Sequence, residues 1–218
     1  MAFARSPDFK TPVCRLSFGH TLFKPRRNDR NVLKYGCTLI FPKTDMLAKT
    51  CKFEDGRMTS LQDIVAGVIV EQWGEAGLKK AKAGVLKSPF LAGDGKEARD
   101  KNGDIRDGLG ADMFFIRPTA NEDRAPKVFS SPSAAIPGTQ EDVYSGCFGF
   151  AVLNAYAWKN DQGGEGVSFG IQMFFKKADG ERLGGGESDP DRWAETIDDA
   201  GEAPESTKTG AGASGLFG

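Results

Sequence analysis

The sequence predicts a mainly β fold of the OB type: a five-stranded antiparallel barrel with one inserted helix, long loops and an acidic C-terminal tail. Three observations carry this. Several runs alternate with a period of two, as strands do because successive side chains point to opposite faces. One segment alone shows a clear helical stripe, and it falls after the second strand. Long connections rich in Gly and Pro separate the rest, with no helices placed to cross over a parallel sheet.

Residues 1–12 read as a loose lead-in, and Val13 to Phe18 as the first strand, ending at a Gly19-His20 turn. The next segment, LFKPRRNDRNVLKY, crowds Lys24, Arg26, Arg27, Arg30 and Lys34 around Pro25. Proline excludes a regular helix there, and no alternation supports a strand, so a basic hairpin-like loop fits. The second strand, Leu33 to Phe41, sets Leu33, Tyr35, Cys37, Leu39 and Phe41 against Lys34, Gly36, Thr38 and Ile40, and Pro42 stops it.

The helix is expected over residues 59–82. Leu61, Ile64, Val65, Val68, Ile69 and Gln72 form its apolar stripe, with Thr59 as N-cap and Gln62 completing a capping box. Lys79, Lys80 and Lys82 suit its C-terminal end through the helix dipole. Residues 85–110 lack any period and read as a solvated excursion. Their aspartates do not have EF-hand spacing. A third strand runs from about Met113 to Arg117, followed by a proline-rich loop to Glu141.

The stretch Val143 to Trp158 is the longest strand candidate. One face presents Tyr144, Gly146, Phe148, Phe150, Val152, Asn154, Tyr156 and Trp158, and the other mostly Ala, Cys, Gly and Ser. Packed small face inward, it would show a row of rings; packed ring face inward, the rings are core. Gly146 and Gly149 suit a bulge, and a one-residue slip there exchanges the faces, which bears most on Phe148 and Phe150. After a Gly-rich turn, Val167 to Phe175 alternates again and ends at Lys176-Lys177.

The net charge of −1 conceals a division. Residues 187–218 hold eight acids against Arg192 and Lys208, whereas residues 1–43 hold nine bases against Asp8 and Asp29. Residues 1–186 are therefore expected to form the folded domain, and 187–218 a disordered acidic tail. No run approaches the ~18 apolar residues that span a bilayer, and the N-terminus lacks the apolar core of a secretory signal. No membrane association and a cytoplasmic location are expected.

The lone His20 gives no histidine-based acid–base relay, and no glycine run has a phosphate-loop context, so an enzyme is not expected. Cys14, Cys37, Cys51 and Cys147 lack metal-binding spacing and read as reduced, buried thiols; neither metal nor cofactor is expected. A cationic groove beside exposed rings is what sequence-tolerant binding of single-stranded nucleic acid needs, because every base has a π-face. The rings expected to stack are Tyr35, Phe148, Phe150, Tyr156 and Trp158. The expected phosphate contacts are Arg15, Arg26, Arg27, Arg30, Lys34 and Lys43, with Lys176 and Lys177 behind them. A subunit-interface role for the rings, as in a structural or assembly protein, is the alternative from another class, and a strand-annealing protein is a nearer one.

The runs PVCRLSF, KYGCTLIFPKTD, VYSGCFGFAVLNAYAW and GVSFGIQMFFKKADGERLGGG together resemble a family of single-stranded DNA-binding proteins of tailed bacteriophages. The resemblance covers Pro12 to Gly186, with VYSGC, the ring-rich strand and GVSFG as its most specific part. It implies an OB fold, binding of single-stranded DNA during phage replication or recombination, and an acidic tail that modulates binding or contacts replication partners. Here the acidic tract is set back from Phe217, since the chain closes on GAGASGLFG, and the 85–110 loop is longer than the fold requires.

Overall fold

In the computed structural model the described residues are 3–28 and 31–184. Arg30 and the acidic tract from residue 187 lie outside them, as does the whole second unit, Gly185–Gly218.

The alternating runs form one sheet. Its first strands are β1 (Phe9–Lys10), β2 (Cys14–Ser17), β3 (Arg26–Arg27), β4 (Leu33–Gly36), β5 (Thr38–Pro42), β6 (Cys51–Phe53) and β7 (Met58–Thr59). After the helices come β8 (Leu91–Ala92), β9 (Met113–Ile116), β10 (Thr119–Asn121), β11 (Lys127–Phe129), β12 (Phe148–Lys159) and β13 (Glu165–Ala178).

The predicted second strand is therefore two segments that break at Cys37, and they face two segments that break at Pro118. The register is continuous across both breaks: Lys34 opposes Asn121, Gly36 opposes Thr119, Leu39 opposes Ile116 and Pro42 opposes Met113. Cys37 N–H donates to the Pro118 carbonyl at 3.3 Å, while Pro118 has no N–H to return the bond, so the ladder is interrupted but not shifted. β5 also pairs with β2, β2 with β12, β12 with β13, and β13 runs parallel to β10 and β11. The hydrogen-bonded path starts at β3 and finishes at β8, and these two ends do not pair. The predicted closed five-stranded barrel is thus corrected to a mainly β, OB-like sheet of shorter segments. It turns back on itself through the covalent joints at Cys37 and Pro118 rather than closing by hydrogen bonds.

The predicted helix divides into α1 (Leu61–Trp73) and α2 (Glu75–Lys82) at Gly74. Its N-cap is Ser60, whose Oγ accepts from Asp63 N–H at 3.0 Å, and Thr59 belongs to β7, so the expected Thr59–Gln62 box does not form. Leu61, Ile64, Val65, Val68 and Ile69 are buried, as the stripe predicts. The four cysteines are free and buried.

The lead-in is not loose. Ser6 N–H donates to the Ala155 carbonyl, Thr11 N–H to the Ala151 carbonyl, and Ala157 N–H to the Ala4 carbonyl. Phe9, 1% exposed, wedges edge-on between Phe53 and Phe169. One buried ring and a run of edge hydrogen bonds fix a segment whose prolines hide any strand pattern.

Candidate nucleic-acid interface

β12 decides the surface. From Gly149 to Ala157 its small residues, with Leu153, are buried, while Phe150, Val152, Tyr156 and Trp158 are half-buried and Phe148 is 37% exposed. Large residues of β13 explain the choice. Phe169, Ile171 and Phe174 occupy the interior opposite the small face of β12. A Cβ on Gly149 would lie 2.6 Å from the Phe174 ring, so larger residues here would compete for the same volume.

Of the two register irregularities, one falls between Phe148 and Gly149, as the sequence suggested, and the other between Val152 and Leu153; in both the extra residue is on β13. Opposite Val152 and Leu153 stand Met173 and Ile171, which leaves Gln172 without a partner, and Lys177 is passed over in the same way. One extra residue exchanges faces: Phe169 and Ile171 point inward before Gln172, and Phe174 points inward after it. Gly146 instead sits in a turn at φ +116°, where an added Cβ would run into the Glu181 backbone. Residues 143–147 are turn and not the start of the strand.

Two ring-and-cation groups result, at opposite ends of β12. In the first, Tyr156 lines a groove of about 250 Å³ with Arg5, Lys34, Asn121, Arg124 and Asn154. Arg26 pairs with Lys34 across the β3–β4 hairpin, so the exposed Arg26 and Arg27 continue from this groove. Arg5 and Arg124 were not legible as lining this groove. Arg5 lies in the misread lead-in, and Arg124 stands among acids in NEDRAP.

In the second group, the Arg15 guanidinium lies 5.7 Å from the Phe148 ring and donates to the Glu181 carbonyl at 2.9 Å. Tyr144 has the Arg182 guanidinium 4.3 Å and Lys176 Nζ 5.1 Å from its ring, and its hydroxyl donates to Asp179 at 2.9 Å. Lys176 is committed to Asp179 at 2.6 Å. Partial burial works to lower its pKa, but the Asp179 carboxylate outweighs this and raises it. Asp179 is held below the ordinary carboxylate range by the hydrogen bonds from Lys176 and Tyr144. Lys177 is exposed beside this group.

The remaining candidates are placed otherwise. Phe150 stacks on Phe175 (5.0 Å, 16°), which stacks on Phe129 (4.5 Å, 19°), and Lys10 Nζ sits 3.9 Å from the Phe150 centroid. Trp158 stands near the far end of β12, with Lys87 Nζ 5.9 Å from its ring. Tyr35 opposes Ala120 and, by alternation, lies on the face opposite Lys34. Lys43 follows Pro42, at the other end of the long ladder from Lys34, at most roughly 30 Å along the strand at strand rise. His20 is exposed and its pKa is lowered by burial of the ring and by Arg26. Among the described residues no group of His, Cys, Asp and Glu is arranged to hold a metal, and no helix is long and apolar enough to cross a membrane.

Comparison with known proteins places these features in context. The profile of a family described as Enterobacter phage Enc34, ssDNA-binding protein, matches residues 8–203. A protein of Acyrthosiphon pisum secondary endosymbiont phage 1, named putative protein p50, is 26% identical over 182 residues, covering 79% of this chain and 84% of its own. Among solved structures, the single-stranded DNA-binding protein from bacteriophage Enc34 in complex with ssDNA superposes with a TM-score of 0.54 at 19% identity. That match covers 82% of this chain and 90% of the other. The same phage protein solved alone gives 0.50 at 20% identity, over 89% and 99%. These likenesses show the fold.

Proposed function

The chain belongs to the family of the Enterobacter phage Enc34 ssDNA-binding protein, and from that membership we propose that it binds and protects single-stranded DNA without sequence preference. It is a binding protein and not an enzyme. The observation that carries the reading is β12, whose small face is buried while its rings stand outward between two sets of cations. Phosphates need the cations and bases need the rings. The five long segments β2, β4–β5, β9–β10, β12 and β13 follow one another in the manner of an OB barrel, and this supports the same reading.

Within it, Tyr156 and Phe148 stack bases, with Trp158 as a further ring. Arg5, Arg26, Arg27, Lys34 and Arg124 hold phosphates on one side, and Arg15, Lys177 and Arg182 on the other. Phe150 and Lys176 act mainly as supports, because each is already engaged by protein partners. Residues 1–186 are the binding domain and 187–218 an acidic tail that competes with DNA and meets replication or recombination proteins. Binding takes place during phage DNA replication or recombination in the host cytoplasm. A gel-shift series with single- and double-stranded oligonucleotides tests the proposal. Binding to single strands that mixed sequences share equally supports it, and no shift with any single strand refutes it.

A further inference from the structure

Phe18 breaks the pattern of the strand it closes. On β2, Cys14 and Leu16 point inward and are buried, while Arg15 and Ser17 are half-buried. Continued alternation would bury Phe18 as well. Its backbone instead turns left-handed, at φ 55° and ψ 38°, and its ring is left 39% exposed. The chain thus forgoes the burial of a phenylalanine and adopts a conformation that glycine alone takes without steric cost. The short 3₁₀ turn that follows, Gly19–Leu22, holds it there. Gly19 N–H donates to Ser145 Oγ at 3.0 Å, and Thr21 N–H to the Phe18 carbonyl at 3.1 Å. Backbone strain that the surrounding structure keeps in place collects at functional positions.

The surroundings of the ring point to its ligand. Phe18 and His20, with ring centroids 6.4 Å apart, line an open pocket of about 430 Å³ together with Ser145. Asp100, Asp104 and Asp107 line it too, while Arg106 is engaged by the Glu97 carbonyl at 3.1 Å. Those carboxylates repel phosphates, so the pocket suits a base and not the strand's backbone. Cations for the backbone stand on either side. Ser145 adjoins Gly146, whose carbonyl accepts from Arg15 Nε at 3.4 Å. In the other direction, Thr21 Oγ1 donates to the Gly36 carbonyl at 2.6 Å, which ties the turn to β4 two residues from Lys34. Burial and the charge of Arg26 both lower the His20 pKa, so its imidazole is neutral at pH 7 and adds a second flat surface. We propose that Phe18 is a base-stacking position, with His20 beside it, where single-stranded DNA passes between the Arg15 and Arg26 groups. This rests on the single-strand-binding reading and adds a ring that β12 does not supply.

Three variants of the full-length protein test this, with oligo-thymidine as the probe. By fluorescence anisotropy, Phe18→Ala and Phe18→Gly are each expected to bind about fivefold to 150-fold more weakly than wild type, the loss of one stacked base. Phe18→Gly should also melt about 2–4 °C above Phe18→Ala, because glycine relieves the left-handed backbone. Weak binding by the more stable variant then cannot come from unfolding. Phe18→Trp places a reporter at the site, and its emission is expected to be quenched by the oligomer beyond the quenching seen in wild type. Wild-type affinity in both F18A and F18G overturns the proposal and leaves the wider reading standing. Quenching in F18W no greater than in wild type also overturns it. A changed oligomeric state in F18G, with affinity per protomer unchanged, assigns the ring to an interface between copies and overturns it as well. Failure of the wild-type protein to bind any single strand removes the wider reading itself.

Discussion

Replacing Tyr156 and Phe150 by alanine, one at a time, separates a ring that meets DNA from a ring that supports the surface. Both belong to the outward face of β12, six residues apart. Tyr156 lines the open groove among cations. Loss of one stacked base costs about 1–3 kcal/mol, which is about fivefold to 150-fold in Kd. Phe150 is occupied by Phe175 at 5.0 Å and by Lys10 at 3.9 Å. Its removal takes away an aromatic pair worth about 0.5–1.5 kcal/mol beyond burial, together with part of its buried area and the Lys10 contact. The expected stability loss for Phe150→Ala is therefore about 2–3 kcal/mol, approaching the Phe→Ala range for cores. Tyr156→Ala should cost about 1 kcal/mol, as an ordinary substitution does. The assays are anisotropy with a labelled oligonucleotide and urea unfolding. The reasoning is refuted if F150A weakens binding more than Y156A does, or if Y156A is the less stable of the two.

Three further outcomes follow from the same geometry. Affinity for single strands should fall steeply with salt, and Lys34→Ala and Arg124→Ala should each reduce the slope of log K against log salt by about 0.7; unchanged slopes in both variants remove them from the phosphate path. Deleting residues 187–218, which carry a net −6, should tighten binding at low salt, and equal or weaker binding counts against competition by the tail. Asp179 has a pKa held low by Lys176 and Tyr144, so its contribution to stability is present above the ordinary carboxylate pKa of about 3.9 and is lost as pH falls through its lower folded value. The Tm difference between wild type and Asp179→Asn should accordingly be seen at pH 7 and shrink in acid, whereas a pH-independent difference contradicts the pairing.

The parts of this fold that were legible in sequence are those in which a period survives into the structure. The β12 alternation holds from Phe148 to Trp158, and the α1 stripe from Leu61 to Ile69 is buried. What was misread depends on partners distant in the chain. Residues 4–11 are ordered by β12, about 145 positions away, so nothing local announces them. Of the two register changes, one falls at Phe148/Gly149, where a glycine suggested it, and the other opposite Val152 and Leu153 at Gln172, where no glycine announces it. Sequence grouped the candidate cations by proximity along the chain, and the sheet sorts them differently. Lys34 and Lys43 part to opposite ends of a ladder, while Arg5 and Arg124 join Lys34 across three strands. Phe150 shows a similar limit, since a ring can face outward and still be covered by neighbouring rings.

Ultraviolet crosslinking of the full-length protein to oligo-thymidine, with the attachment sites mapped by mass spectrometry, tests the central claim most directly. Crosslinks at Tyr156 and Phe148, on the outward face of β12, are the predicted result. Crosslinks confined to α1, α2 or the residue 85–110 loop, with none on β12, would contradict it.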